Sequence, residues 1–240
     1  MKSLYCIGHR GACGHAPENT LLSIRTALDF GVDCIELDVY VVENELIVIH
    51  DATVDRTTNG QGPLTAHRLK SLRSLDAGKG EKIPFLWEVM ELIDAKVDLN
   101  IELKGPNTAL PVIKFLPPIL NRTKWTPNQI ILSSFRFKDL KKVKNSLQDV
   151  RIGCLFSGFD PGFIGQAKTL RAWSVHFPRF AMHQGLVNKA HRSGFQVYSF
   201  TVNEPAHLRR IAGMGADGVF SDYPDRVIAF NKSLEDPSQD

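Results

Sequence analysis

The stretch that decides the fold is CIELDVYVVENELIVIHD, residues 34–51. Apolar and polar side chains alternate through its first half, so a β-strand here would place Glu36 and Asp38 on the same face. An ordinary strand in a protein core carries apolar side chains on such a face, because buried charge is costly. The two carboxylates therefore mark a candidate functional site.

The second half of the same stretch predicts a return strand. The polar residues 43–45 indicate a reversal centred on Asn44, and the apolar run 46–49 then leads to His50 and Asp51. This register places His50 opposite Asp38. The stretch is therefore predicted to bring an imidazole to the carboxylate pair.

The residues on either side extend this hairpin into a repeating α/β pattern. Residues 4–9 read as a strand and residues 21–30 as a helix with an apolar stripe, with Asn19 as its predicted N-cap. A strand, a helix and a second strand in this order predict two parallel strands joined by a crossover. Setting the return strand aside, the chain shows eight predicted strands, at residues 4–9, 34–42, 97–104, 129–135, 151–157, 172–177, 196–202 and 218–222.

This count predicts the α/β class and a (β/α)8 TIM barrel, with an open doubly wound sheet as the alternative. Residues 51–85 interrupt the pattern with many Gly, Thr, Asn and Asp residues, and predict a small insertion after the second strand. Residues 1–240 are accordingly predicted to form a single barrel domain, with a frayed tail from residue 230 onward.

Composition excludes several classes of protein. The chain has 43% hydrophobic and 23% charged residues and a formal charge of +3, without a long Lys/Arg block, which argues against a nucleic-acid partner. No apolar run is long enough for stable membrane insertion, and the N-terminus enters a strand without the parts of a signal peptide. The cysteines show no C-x-x-C spacing and predict free thiols in a reducing cytoplasm; they are Cys6, Cys13, Cys34 and Cys154.

In a barrel of this kind, the active site lies at the C-terminal ends of the strands. The polar side chains at these ends are His9, Arg10, Glu36, Asp38, Glu102, Lys104, Ser133, Ser134, His176, Thr201, Asn203 and Asp222. The three acids Glu36, Asp38 and Glu102 could pair with Arg10 and Lys104 in a structural ion network. Three acids and two bases leave one negative charge, however, and this favours a hard divalent cation such as Ca²⁺ or Mg²⁺.

The histidines His9 and His50 have three possible roles, as zinc ligands, as hydrogen-bonded core residues, or in acid/base chemistry. Two imidazoles beside a divalent cation and two basic side chains suit attack at phosphorus. In such a reaction the cations spread the charge on the non-bridging oxygens, while one imidazole accepts a proton and the other donates one.

A series of motifs resembles the glycerophosphodiester phosphodiesterase family. Their order and spacing extend over nearly the whole chain, which makes the resemblance specific. The motifs are HRG at 9–11, PENT at 17–20, IELDV at 35–39, HD at 50–51, RTTNG at 56–60, IELK at 101–104, TVN at 201–203 and SDYP at 221–224.

The resemblance implies a TIM barrel and a small-molecule glycerophosphodiester substrate. It also implies one Ca²⁺ or Mg²⁺ ion on Glu36, Asp38 and Glu102, His9 and His50 as the acid/base pair, and Arg10 and Lys104 at the phosphate. In the mechanism usually proposed for the family, a glycerol hydroxyl attacks phosphorus and expels the alcohol. Water then opens the cyclic phosphate, and the products are sn-glycerol 3-phosphate and the alcohol. Many relatives carry Trp where this chain has Phe200, which changes any stacking of the substrate there.

Two alternatives remain beside a metal-dependent glycerophosphodiesterase. The same site could act on lysophospholipids, as a lysophospholipase D or a cyclising lyase. This activity would favour an exposed apolar loop or a membrane anchor, and the insertion, which is rich in Thr, Asn, Gly and Lys, offers little of either. A barrel that only binds phosphodiesters or a protein partner is the other alternative. Intact acids and histidines argue against it, because a non-catalytic site has no physical reason to keep buried charge.

Overall fold

The computed structural model describes residues 1–235. Its strands are β1 (Tyr5–Gly8), β2 (Cys34–Val42), β3 (Glu45–Val48), β4 (Asp98–Leu103), β5 (Ile130–Ser134), β6 (Arg151–Leu155), β7 (Ser174–Pro178), β8 (Gln196–Phe200) and β9 (Gly218–Ser221). Its helices are α1 (Leu21–Phe30), α2 (Leu69–Ser74), α3 (Leu86–Ile93), α4 (Ala109–Arg122), α5 (Phe137–Ser146), α6 (Phe163–Thr169), α7 (Gln184–Arg192), α8 (Pro205–Gly213) and α9 (Pro224–Glu235).

The strands close into a barrel. Their order is β1-β9-β8-β7-β6-β5-β4-β2, and β1 also pairs with β2 in parallel, which joins the two ends of the sheet. Every pairing among these eight strands is parallel, whereas β3 lies outside the barrel and pairs with β2 in antiparallel fashion. The predicted (β/α)8 barrel is therefore confirmed, and the open sheet is excluded because a closed barrel has no free edge.

The two faces of each strand have different neighbours. The outward face packs against the helices, as for Ile35 and Leu37 of β2, which belong to the large cluster of buried residues between strands and helices. The inward face fills the barrel, where Cys34 packs in a second cluster with residues of other strands. Glu36 and Asp38 share the face of Cys34, because side chains alternate along a strand. They therefore lie above this apolar layer, at the C-terminal mouth of the barrel.

The hairpin register differs from the predicted one by a single residue. Glu43 and Asn44 have φ angles of 50° and 68°, and they form a two-residue turn in the left-handed region, where Val42 pairs with Glu45. This turn places Ile49 opposite Asp38, and the Ile49 amide donates to the Asp38 carbonyl at 3.0 Å. The prediction that His50 lies opposite Asp38 was wrong, because the reversal is centred between residues 43 and 44 rather than on Asn44.

The predicted N-cap of the first helix was also wrong by one residue. Thr20 caps α1, with its hydroxyl accepting a hydrogen bond from the Ser23 amide at 3.2 Å. Asn19 instead has a φ of 58°, and its side chain turns away from the helix towards β2. Its amide donates to the Asp38 carboxylate at 3.0 Å and its carbonyl oxygen accepts from the Asp38 backbone amide. Asn19 therefore supports the carboxylate pair.

The residues between β3 and α3 form a layer of their own beside the hairpin. They contain a short 3₁₀-helix and α2, and Val54, Leu64 and Leu72 pack there against Ile47 and Ile49 of the hairpin. None of the helices within residues 1–235 combines the length and the apolarity needed to cross a bilayer.

The C-terminal segment is ordered further than predicted. Residues 230–235 belong to α9, so the predicted fraying was wrong for them, and residues 236–240 lie outside the described part of the chain. Phe230 is buried, and the Asn231 side chain exchanges two hydrogen bonds with the backbone of Leu4, at 2.7 and 2.8 Å. These contacts attach α9 to the residue that immediately precedes β1.

One buried histidine predicts how stability depends on pH. His176 of β7 is completely buried, its Nε2 is 2.7 Å from the Ser174 hydroxyl, and burial lowers its pKa from 6.5 to about 3. Below pH 6.5, His176 therefore binds a proton in the unfolded chain but stays neutral in the folded protein. The free energy of unfolding should fall with decreasing pH by about 1.4 kcal/mol per unit more than in His176→Asn. Urea titrations between about pH 6.5 and 5 measure both slopes, and equal slopes would contradict the assignment.

Candidate active site

Three carboxylates meet at the mouth of the barrel. Glu36 and Asp38 come from β2, and Glu102 of β4 is the register partner of Asp38. The exposed fractions of these residues are only 2%, 1% and 7%, and each offers a carboxylate oxygen within 4.8 Å of the others. Parallel neighbouring strands bring residues of equal height together, which explains why two separate I-E-L motifs form one cluster.

Two basic side chains compensate part of this charge. Arg10 Nε is 3.4 Å from Asp38, and Lys104 Nζ is 2.9 Å from Glu102 and 3.6 Å from Asp38. Within residues 1–235, Glu36 accepts a single hydrogen bond, from the Arg10 backbone amide at 2.8 Å. Burial and the negative charge of Asp38 raise the pKa of Glu36 from 4.5 to about 8. An ion network of these five residues therefore leaves one buried carboxylate without a cation.

A divalent cation fits this arrangement. All the converging ligand atoms are carboxylate oxygens, the donors that Ca²⁺ and Mg²⁺ prefer, and the raised pKa of Glu36 shows that a third buried negative charge is unfavourable there without a further cation. The acidic cluster is thus a candidate site for one hard divalent cation.

His9 lies beside the carboxylates and is held by an acid from the last strand. Its Nδ1 is 2.6 Å from Asp222 Oδ1, while the Asn203 side chain donates to Asp222 Oδ2 at 2.7 Å. Burial alone would lower the pKa of His9, but the hydrogen bond to Asp222 and the charge of Glu36 outweigh it and raise that pKa. Because Nδ1 of His9 is hydrogen-bonded to Asp222, Nε2 is the ring nitrogen that remains available to a substrate in the pocket.

His50 has a similar carboxylate partner but the opposite shift. Its Nδ1 is 2.5 Å from Asp51, and Arg56 donates both to Asp51 at 2.6 Å and to Glu18. Burial lowers the pKa of His50, and the nearby charge of Asp38 offsets only part of this effect. Although the register differs from the predicted one, the ring still reaches the pocket, because β3 ends at Val48 and the following backbone is irregular.

The pocket between the two histidines has a polar side and an apolar side. Its cavity volume is about 160 Å³. The polar side consists of His9, Arg10, Glu36, His50, Asn100, Glu102 and Lys104, and the other side of Phe135, Leu155, Phe200, Thr201 and Phe220. Phe135 and Leu155 also line an adjoining trough of about 440 Å³ that extends to Phe159 on the β6–α6 loop. The site can therefore hold an anion next to an apolar group.

All seven residues proposed from the sequence lie at this place. Six of them line the pocket, and Asp38 lies beneath, in contact with Arg10 and Lys104. Their roles stay predictions. Sequence reasoning gave Asn19 a different role, as the cap of the first helix, and gave Asp51 and Asp222 no role at the site. Asp51 follows His50 directly and Asp222 follows the last strand, so their positions were a usable signal, whereas the only signal for Asn19 was its place in the PENT motif.

Comparisons with known proteins show which family this chain resembles. The sequence profile described as "Glycerophosphoryl diester phosphodiesterase family" matches residues 9–226. A glycerophosphodiester phosphodiesterase of Caldanaerobacter subterraneus subsp. tengcongensis is 36% identical, over 95% of this chain and 97% of the relative. Lysophospholipase D GDPD1 of Mus musculus is 26% identical, over 93% of this chain and 85% of that protein.

A solved structure is similar over the same range. It is an Oleispira antarctica phosphodiesterase in complex with the product sn-glycerol-3-phosphate, with 29% identity and a TM-score of 0.88. The alignment covers 95% of this chain and 96% of that one. The similarity therefore extends over nearly the whole of both chains.

Proposed function

Because the chain belongs to the glycerophosphoryl diester phosphodiesterase family, we propose that it hydrolyses glycerophosphodiesters to sn-glycerol 3-phosphate and an alcohol. The observation that supports this most directly is the meeting of His9, His50 and three buried carboxylates in one pocket. The Oleispira antarctica phosphodiesterase has bound sn-glycerol-3-phosphate, the same product that we propose for this chain.

Glu36, Asp38 and Glu102 would hold one Ca²⁺ or Mg²⁺ ion. When bound, this cation supplies positive charge to the non-bridging oxygens of the phosphodiester, whose negative charge increases during the reaction. The carboxylates supply ligand oxygens that are already converging and already removed from water. Little reorganisation is therefore needed on binding.

Arg10 and Lys104 would bind the phosphate from the side of the acidic cluster. Both line the pocket, and neighbouring carboxylates outweigh burial and raise the pKa of each, so both stay charged. Arg10 is fixed by Glu18, which accepts from its guanidinium at 2.7 Å. A held guanidinium contributes to charge stabilisation without the cost of ordering a free side chain.

The opposite pKa shifts suggest different roles for the histidines. His50, with its lowered pKa, is neutral and accepts the proton of the attacking glycerol hydroxyl. The new bond between this oxygen and phosphorus forms while the bond to the alcohol oxygen breaks, and His9, with its raised pKa, donates a proton to that oxygen. In the second half the roles reverse, as water opens the cyclic phosphate.

A panel of substrates tests the proposed function. Glycerophosphocholine, glycerophosphoethanolamine and glycerophosphoinositol should each release sn-glycerol 3-phosphate, and ³¹P NMR should detect the cyclic phosphate in transit. Release of the alcohol without any cyclic species under single-turnover conditions would argue for direct attack by water. Absence of hydrolysis of all three diesters in Mg²⁺ and in Ca²⁺ would refute the proposed function itself.

The trough beside the pocket supports a second candidate, a lysophospholipase D. Phe159 is 56% exposed at its rim, where an acyl chain could lie, and a lysophospholipase D is among the relatives. If lysophosphatidylcholine is a substrate, Phe159→Ser should lower its kcat/KM about fivefold or more while leaving glycerophosphocholine unchanged. Trp87→Ser, at an exposed aromatic outside the trough, is the matched control. Equal effects on both substrates would remove the trough from this role.

We also propose that the enzyme works in a reducing compartment such as the cytoplasm. The four cysteines are free, and three of them are buried in strands, where they pack as small apolar side chains. This location is a prediction, made because free thiols are typical of proteins in reducing compartments.

A further inference from the structure

A second cluster of possible metal ligands lies beside His9. Cys13 Sγ is 3.0 Å from Asp222 Oδ1, the same oxygen that is 2.6 Å from His9 Nδ1. The three ligand atoms lie within 4.8 Å of one another, and none belongs to the acidic cluster. They come from the end of β1, the following loop and the end of β9, so closure of the barrel assembles them.

The donor set differs in kind from the acidic cluster. An imidazole nitrogen, a thiol sulfur and a carboxylate oxygen match the preference of Zn²⁺ and similar borderline-soft ions, whereas oxygen-only ligands suit Ca²⁺ and Mg²⁺. The carboxylate is fixed in advance, because Asn203 donates to Oδ2 and accepts from the Asp222 backbone amide at 2.9 Å. The three residues are only partly buried, which leaves access for an ion. We propose that His9, Cys13 and Asp222 form an inhibitory site for a thiophilic divalent cation such as Zn²⁺.

The inhibition rests on the proposed role of His9, whereas the binding does not. On binding, the Cys13 thiol loses its proton to solvent and a metal–sulfur bond forms. The metal replaces the proton on His9 Nδ1, and the neutral imidazole keeps its single proton on Nε2. Such a ring can neither accept a proton at Nε2 nor reach the doubly protonated form. Both proton transfers assigned to His9 are therefore blocked.

Spectroscopy tests the site without any measurement of activity. The protein is kept in saturating Mg²⁺, so that the acidic cluster is occupied, and is titrated with Co²⁺. A thiolate-to-cobalt charge-transfer band should grow to one equivalent in the wild type and be lost in Cys13→Ser, which keeps a hydrogen-bond donor to Asp222. Cys154→Ala, at a buried thiol outside the cluster, should retain the band. A band that persists in Cys13→Ser, or that fails to form in the wild type, would overturn the site.

Kinetics then test inhibition. In the same Mg²⁺ buffer, Zn²⁺ should inhibit wild-type hydrolysis of glycerophosphocholine at concentrations about tenfold or more below those needed for Cys13→Ser, because one strong ligand is missing. Each protein is compared with its own zinc-free rate. Equal sensitivity of both proteins would mean that Zn²⁺ acts at the acidic cluster and would overturn the inhibitory role. A wild type without any hydrolysis would refute the proposed function, and the cobalt band would still decide the site.

Discussion

Removal of divalent cations should lower turnover by about a hundredfold or more, and Mg²⁺ or Ca²⁺ should restore it. The physical reason is the crowding of negative charge at the barrel mouth, where three buried carboxylates lie close together and Arg10 and Lys104 pair with two of them. Without the cation, an approaching phosphodiester meets an excess of negative charge. The measurement is hydrolysis of glycerophosphocholine after full chelation and after titration with each ion.

A single substitution separates a metal site from a structural ion network. Glu36→Gln removes one of three crowded negative charges and keeps an acceptor for the Arg10 amide. Without metal the variant should unfold at a higher temperature than the wild type, because the pKa of Glu36, raised to about 8, reflects an unfavourable charge. It should also need at least about tenfold more cation for half-maximal activity, because one ligand carries no charge.

The control for this prediction is Asp139→Asn, which alters a buried carboxylate far from the site in sequence, paired with Arg136 and Lys142. It should leave the cation requirement unchanged. Full activity of the wild type after chelation, or an unchanged cation requirement in Glu36→Gln, would contradict the metal assignment and favour a purely structural network.

His9→Ala and His50→Ala should each lower kcat by more than about a hundredfold, within the range of about 10² to 10⁴ that general acid/base catalysis contributes. The two variants should differ in their response to the leaving group. A nitrophenyl ester needs no proton on its departing oxygen, so it should restore most of the rate in His9→Ala and little in His50→Ala. Equal losses with both substrates would contradict the division into acid and base.

The matched control is His191→Ala, since His191 is bound to Asp217 and lies outside the pocket. It should keep the wild-type rate with either substrate. Wild-type turnover in His9→Ala or His50→Ala would remove that residue from the chemistry.

The same division predicts the pH profile of the wild type. Activity needs a neutral His50 and a protonated His9. The pH range of activity should therefore begin at the pKa of His50, which is below 6.5, and end at the pKa of His9, which is above 6.5. Asp222→Asn should move the upper limit down, because it removes the hydrogen-bonded carboxylate that raises the pKa of His9. An unchanged upper limit in this variant would assign that limit to another group.

Much of the site could be predicted from local patterns in the sequence. The alternation in β2 places Glu36 and Asp38 on one face whatever the rest of the chain does, because side chains alternate with every residue of a strand. The count of strands and helices predicted the barrel, and the barrel in turn placed Glu102 and Lys104 beside them. These inferences depend only on the regular geometry of the backbone.

Other features depended on contacts between distant parts of the chain. Asp222 reaches His9 across 213 positions because β9 closes the barrel against β1. Asn19 turns from α1 towards Asp38 through a left-handed residue that a cap pattern does not reveal. Cys13 reaches Asp222 through the same closure.

The sequence by itself determined the strand of residues 34–42 with its two acids on one face, and it predicted eight strands and the group of residues at their C-terminal ends. Closure into a barrel rather than an open sheet was settled by the pairing of β1 with β2. Only the tertiary structure decided how His50 enters the pocket, since the turn at Glu43 and Asn44 shifts the hairpin by one residue and β3 ends before the histidine. The reason is physical. Alternation along a strand follows from repeated local geometry, whereas register and strand ends follow from the balance of turn conformation and packing over the whole fold.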